Sequence, residues 1–282
     1  MGSQGVAFLD KALFTSFAYN HPSPNDENSP EFVLETPNFQ ISLSALLETL
    51  QIFGASDSSF RFSKPDTDYN TNIRPHRLNP FGNQTLGMNG VCRLSYSTLG
   101  SSFSVILEEP EVTTTCNLNT YESEALEEIP FDRDQLELKI IMHSRYLFDA
   151  ISEISSMTNS TSTTSSSLTI IASPHSPYLS LSASGSFGSS SIEFSKSRDL
   201  LETFSVARRW SQSYKFEMIK AAAEAMRLAS KVSFRSDRQG VLSLQFMIEV
   251  EGGAVSFVEF RFVPFVEEED GSETDSESKR AD

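Results

Sequence analysis

VCRLSYSTLGSSFSVILEEPEVTTTCNLNTYESEALEEIPFDRDQL, residues 91–136, holds the turning point of this chain. It opens with two strand-like runs, Val91–Tyr96 and Phe103–Glu108, joined by Ser97–Ser102, where Gly100 suits a hairpin loop. Val112–Leu118 follows, rich in the β-branched residues that fit a pleated surface. The character then changes. Asn119–Gln135 carries six acidic residues, one proline and three isolated apolar side chains, Leu126, Ile129 and Phe131. Such a segment makes a poor core element but a good extended connector, crossing an outer surface with a few hydrophobic pegs. Strand and helix patterns resume at Leu136, so a β-rich domain is expected to end here and a second to begin.

Working outward, Gly5–Phe17 begins the chain inside an apolar, strand-like run. Residues 20–31 form a polar loop by composition. The spacing of Ile41, Leu46 or Leu47, Leu50 and Phe53 predicts a helix over Asn38–Gly54, closed by Gly54 as a C-terminal cap. Residues 55–90 are Ser, Asp, Asn, Pro and Gly with single aromatics, the composition of an insertion loop. Beyond the connector, Leu136–Met142 alternates as a strand and Arg145–Met157 repeats as a helix, before a Ser/Thr turn at Thr158–Ser167. Short strands are expected at Leu168–Ala172, Tyr178–Ser184, Ser190–Ser195, Glu202–Ala207 and Ser211–Phe216. Glu217–Ser230, with five alanines, reads as the best helix in the chain. Lys231–Arg235, Val241–Val250 and Ala254–Pro264 complete the strands, and the acidic tail 266–282 is expected to be disordered. Within it Ser272, Thr274 and Ser276 have acidic neighbours that an acid-directed kinase would favour, although a merely solubilising tail explains the composition as well.

The predicted organisation is therefore α+β with two domains, 1–118 and 136–265, bridged by 119–135. A formal charge of −16 opposes non-specific coating of nucleic acid. It leaves room for a local basic lining, because screening cuts off fields beyond about 8 Å at physiological salt. No run reaches the roughly 18–20 apolar residues a membrane span requires, and Met1–Val6 has no signal-peptide pattern. Cys92 and Cys116 are expected as buried thiols, and the sequons at Asn83 and Asn159 as chance matches.

The separated motifs agree with a known family. Ser182–Gly188 followed by Ile192-Glu193-Phe194 resembles the central hairpin of the second domain of a sliding clamp of the proliferating-cell-nuclear-antigen type. Ala7–Phe14, Val91–Tyr96, Leu107-Glu108-Glu109 and Thr113–Cys116 resemble the first-domain strand, hairpin and exit strand of the Rad-one subunits of the heterotrimeric nine-one-one checkpoint clamp. The resemblance covers residues 5–265 outside the two polar insertions. It implies a DNA clamp fold: two domains of antiparallel sheets with helices on the inner face. It also implies a strand, a pore-facing helix and a strand ahead of Val6, so the first domain is expected to be incomplete.

Three functional expectations come with the resemblance. Inner-wall helices would present cations to duplex DNA, touching backbone only. Lys220, Arg227 and Lys231 fall within about 40° on a continuous helical wheel, and Arg145 joins them. A merely solvated face remains the alternative, since Glu224 interrupts the stripe and Asp149 and Glu153 accompany Arg145. Ring closure would pair open sheet edges between subunits, here Val112, Thr114, Cys116 and Leu118 in domain one and Ser190, Ile192 and Phe194 in domain two. Partner peptides would dock in a pocket of Val6, Leu126, Ile129, Pro130, Val263 and Pro264, although Leu126 and Ile129 could equally just pin the connector down. The implied partners are two related subunits (Rad-nine-like and Hus-one-like), an ATP-driven clamp loader, double-stranded DNA, and repair and signalling proteins carrying peptide motifs. The implied location is the nucleus, with no cofactor, no metal and no membrane association.

Catalysis is the competing class, because proteins of this type have been described as 3′–5′ exonucleases. Two-metal phosphoryl chemistry needs several carboxylates around ions roughly 4 Å apart. Glu108-Glu109, Glu127-Glu128 and Asp132/Asp134 sit at a hairpin end and along the connector, and His21, His76, His143 and His175 lack metal spacing. No phosphate-binding glycine loop or nucleophile elbow occurs. A peptide-binding adaptor that never encircles DNA is the second alternative.

Overall fold

The computed structural model describes residues 2–19, 36–52, 91–108, 111–124, 127–158, 166–185, 188–249 and 253–265. Both polar insertions, most of the Ser/Thr tract, Leu126, Glu109 and the acidic tail lie outside these. The chain divides into two compact units. One comprises Met1–Val6, Ile129–Phe246 and Val258–Asp282, and the other Ala7–Glu128 and Met247–Phe257.

Strand β1 (Ser3–Phe8) opens the chain, and only Ala7 and Phe8 of the expected 7–14 strand belong to it. Asp10 then accepts from Ala12 N at 2.8 Å and caps a 3₁₀ turn at Lys11–Leu13, which ends the extended run. Next come β2 (Phe39–Ile41) and helix α1 (Leu43–Ile52), so the expected helix is shorter and its first turn is strand instead. β3 (Val91–Tyr96), β4 (Phe103–Glu108) and β5 (Thr113–Leu118) make a three-stranded antiparallel sheet in that order. β6 (Thr120–Glu122), inside what reads as connector, pairs with β2. A compact core holds Val105, Leu107 and Leu118, with Ala45, Leu46 and Ile41 packed on it. Phe39 stacks on Tyr96 with ring centroids 4.2 Å apart. Cys92 corrects the sequence expectation: it is an exposed thiol, because β3 is a margin of its sheet.

The other unit is built from β7 (Leu136–His143), α2 (Ser144–Thr158), β8 (Ser167–Ala172), β9 (Leu179–Gly185), β10 (Gly188–Phe194), β11 (Leu201–Val206) and β12 (Trp210–Lys215). It continues through α3 (Phe216–Lys220), α4 (Ala223–Leu228), β13 (Lys231–Asp237), β14 (Leu242–Glu249) and β15 (Val255–Phe262), of which Met247–Phe257 groups with Ala7–Glu128. Six strands run in the order β1-β15-β14-β13-β7-β11 and four in the order β10-β9-β8-β12. Alternation sets the core: Leu138, Ile140 and Met142 of β7 lie opposite Ser236, Phe234 and Val232 of β13, all buried. Leu242, Leu244 and Phe246 continue that face, and Leu147, Ile151 and Ile154 of α2 are buried. Each such side chain contributes about 1.5–3 kcal/mol relative to exposure.

The expected continuous helix over 217–230 is two short ones. Phe216, Ile219, Ala222 and Met226 are all buried, at spacings of three, three and four. Ala222 N bonds back to Ile219 O at 3.0 Å, an i−3 bond that tightens the junction. Packing thus overrides the propensity of the alanine run.

Candidate nucleic-acid and partner interface

The face of the six-stranded sheet away from that core carries charge. Arg235, Ser243, Glu259 and Arg261 alternate with core residues on β13, β14 and β15 and point to the other side. Glu259, 1% exposed, accepts from Ser243 Oγ at 2.7 Å, Arg235 Nη2 at 3.2 Å and Arg133 Nη2 at 3.4 Å. Arg261 Nε lies 3.6 Å from the same carboxylate. Burial pulls the Arg235 guanidinium below its ordinary pKa and Glu259 opposes that, while Arg133 and Arg261 add to it.

This cluster holds the second half of the connector. Arg261 Nη1 donates to Ile129 O at 2.8 Å, and Ile129 N donates to Gln4 Oε1 at 3.0 Å. The Phe131 ring lies 5.6 Å from the Arg235 guanidinium carbon and 6.0 Å from that of Arg261. Asp132 N donates to Asp237 Oδ2 at 3.2 Å, and Asp237 also accepts from Gln239 N and Val241 N. Sequence reading missed this anchor. Its signal was present as charged residues at strand positions, Arg235 and Glu259/Arg261, where a solvated face was the default assumption.

Of the expected pocket, Leu126 is outside the described residues. Ile129 and Val6 are half-buried, Pro130 and Val263 exposed, and Pro264 half-buried. Ile129 is bound to Gln4, two residues from Val6, and to Arg261, two residues from Val263. Val263 N donates to Gly2 O at 2.9 Å. Pro264 packs at the turn of Gly240, whose φ of +79° excludes most side chains and where an added Cβ would stand 3.3 Å from the Pro264 ring. The Gly240 carbonyl accepts from Tyr214 OH at 2.6 Å, and burial pushes that hydroxyl well above the ordinary tyrosine pKa. Phe265, 39% exposed, was not anticipated beside these residues; its N donates to Ser213 O at 2.7 Å.

The continuous wheel that united Lys220, Arg227 and Lys231 does not exist. Lys220 ends α3, Arg227 lies on α4, and Lys231 opens β13, its side chain alternating away from buried Val232. Other bonds gather three of the four cations instead. Ser144 Oγ donates to Met226 O at 2.7 Å and Ser144 N to Ser230 O at 3.2 Å, which sets Arg145 beside the end of α4. Lys231 is the register partner of His143.

β5 ends one sheet and β10 ends another. Thr114, Cys116 and Leu118 are the inward residues of β5, as Ser190, Ile192 and Phe194 are of β10, while Val112 precedes its strand and is exposed. At these margins the pairing capacity belongs to backbone N–H and C=O groups. Among the described residues, no three His, Cys, Asp or Glu are grouped to hold a metal ion. No described helix is long and apolar enough to cross a membrane. Glu108 is bonded to Arg93, and Asp132 caps Asp134 N and Gln135 N.

Comparison with known proteins shows the family. The family profile "Repair protein Rad1/Rec1/Rad17" matches residues 2–248. The human cell cycle checkpoint protein RAD1 is 33% identical over 261 residues, 93% of this chain and 76% of that protein. The DNA damage checkpoint control protein rad1 of Schizosaccharomyces pombe is 31% identical over 262 residues, 93% of this chain and 73% of that one. A PCNA2–PCNA3 complex from Sulfolobus tokodaii aligns with TM-score 0.49 and 19% identity, covering 61% of this chain and 64% of the other. The chain belongs to the Rad1/Rec1/Rad17 family of repair proteins.

Proposed function

We propose that the protein is the non-catalytic member of a three-subunit ring that encircles duplex DNA in the nucleus and recruits repair and signalling proteins to it. The carrying observation is the pair of sheet margins, β5 and β10, one in each half of the chain. A ring of three needs each subunit to offer two margins to its neighbours, and head-to-tail contacts close only with the right rotation. Arg145, Arg227 and Lys231, with Lys220, supply backbone contacts to the enclosed duplex. The anchored connector, with Val6, Ile129, Pro130, Val263 and Pro264, receives partner peptides, and Leu126 completes that set. Two related subunits and an ATP-driven loader are the required partners. The two-domain division at 119–135 belongs to the same reading.

The test is topological. Co-expressed with its two related subunits and loaded on nicked circular DNA, the protein is expected in a 1:1:1 complex that stays on the circle and leaves on linearisation. In the same mixture with Mg²⁺, recessed 3′ ends stay intact. Retention on linear DNA, or degradation abolished by Glu108→Ala with Glu109→Ala, would refute the proposal.

A further inference from the structure

Each of three cations assigned to DNA has a carboxylate beside it, and the way they are stacked deepens the function proposed above and rests on it. Glu224 Oε2 accepts from both Nε (3.1 Å) and Nη2 (2.7 Å) of Arg227. The Glu224 side chain is 73% exposed against 30% for that of Arg227, whereas Arg145 is 87% exposed against 61% for Asp149. At Arg227, then, the acid is the more exposed partner. Lys231 Nζ donates to Glu202 Oε2 at 2.8 Å, with the His143 ring 3.8 Å from the other oxygen. Arg145 Nε lies 3.7 Å from Asp149 Oδ2. Because Ser144 ties the start of α2 to the end of α4, and His143 pairs with Lys231, these three pairs surround one junction with no net charge.

We propose that Glu224, with Glu202 and Asp149, is a built-in counter-charge that keeps the grip of this surface on duplex DNA loose. A phosphate that takes the Nε and Nη2 donors of Arg227 displaces the Glu224 carboxylate. Exposed ion pairs are weak, so the exchange is permitted, but it is opposed at each site. The counterion released from the DNA is offset by the cation that the freed carboxylate attracts, so the net release is small. Binding then stays weak and nearly indifferent to salt, which suits a surface that must slide rather than hold.

The experiment is a salt titration of the full chain on a fluorescently labelled blunt duplex, read by anisotropy, with thermal unfolding confirming that each variant is folded. The triple variant Asp149→Asn, Glu202→Gln, Glu224→Gln should bind more tightly. Its slope of log K against log salt should steepen by up to about 2.7, or roughly 40-fold more weakening between about 50 and 200 mM. Glu224→Gln alone, the most exposed and least disruptive change, should steepen it by about 0.9. An equal loss of charge elsewhere, at Glu111, Glu122 and Glu124, should leave the slope unchanged. If Arg145→Gln, Arg227→Gln, Lys231→Gln binds like the parent protein, the assignment of this face to DNA fails. If that variant weakens binding while the acid variants keep the parent slope, or match the distant control, the counter-charge is overturned and the face stands.

Discussion

Glu259→Gln should lower the unfolding free energy by about 3–5 kcal/mol, the scale on which removing one partner of a buried ion pair leaves an uncompensated charge. The substitution keeps shape and volume and removes only the carboxylate charge. Arg235 and Arg261, each 13% exposed, would then share the outer sheet face with Arg133 and no counter-charge on β15. Arg235 is already pulled down in pKa by its burial, with Glu259 the one influence holding it up. In urea denaturation the midpoint should fall while the slope is unchanged, because the folded chain buries the same surface. Arg133→Ala, at a side chain 59% exposed, should cost less than about 1 kcal/mol. Replacing Arg235, Glu259 and Arg261 together by apolar residues of like size should recover much of the loss. A Glu259→Gln cost below about 1 kcal/mol would mean that water reaches the arginines and that the cluster does not hold the connector.

The second large effect concerns assembly. On an antiparallel strand successive N–H groups point alternately toward the paired strand and away from it. Ser190 and Ser191 are neighbours on β10, so proline at one removes a bond to β9 and proline at the other removes an outward donor. One variant should unfold at lower denaturant. The other should fold like the parent yet fail to form the proposed ring, at about 1–3 kcal/mol or roughly 5- to 150-fold in the assembly constant. The same split is expected for Thr114 and Thr115 on β5. Gel filtration of the co-expressed complex checks it. If both prolines in a pair fold and assemble normally, that margin is not where subunits meet.

How far the sequence could be read depended on which physical term ruled at each place. Strand-like runs and turn spacing located β3, β4 and β7 to β15 within a few residues, and where one face is buried, as in β7 and β8, the period of two is plain. The helix over 217–230 misled because five alanines favour helix locally, whereas the three-residue spacing of Phe216, Ile219 and Ala222 reflects tertiary packing. β2 and β6 were illegible for a related reason: Thr120–Glu122 is polar, and only its partner Phe39–Ile41 makes it a strand. Around the connector, Ile129, Val263 and Pro264 are named from the family resemblance, and the structure ties Ile129 to Arg261, two residues from Val263. The arginine cluster beneath Phe131 could not be named, because a charged residue on a strand reads as solvated until the segment that covers it is known. The edge residues named by sequence are the inward ones, since motif positions follow side chains and pairing follows the backbone.

The two thiols differ in a way that is useful at the bench. Cys116 is tucked against Val105 and Leu118, while Cys92 is exposed on β3, at the opposite margin from β5. Partial desolvation pushes the Cys92 thiol above its ordinary pKa, so maleimide attachment calls for mildly alkaline buffer. A fluorophore placed there, without any engineered cysteine, would report on subunit exchange from a position that leaves the β5 backbone open.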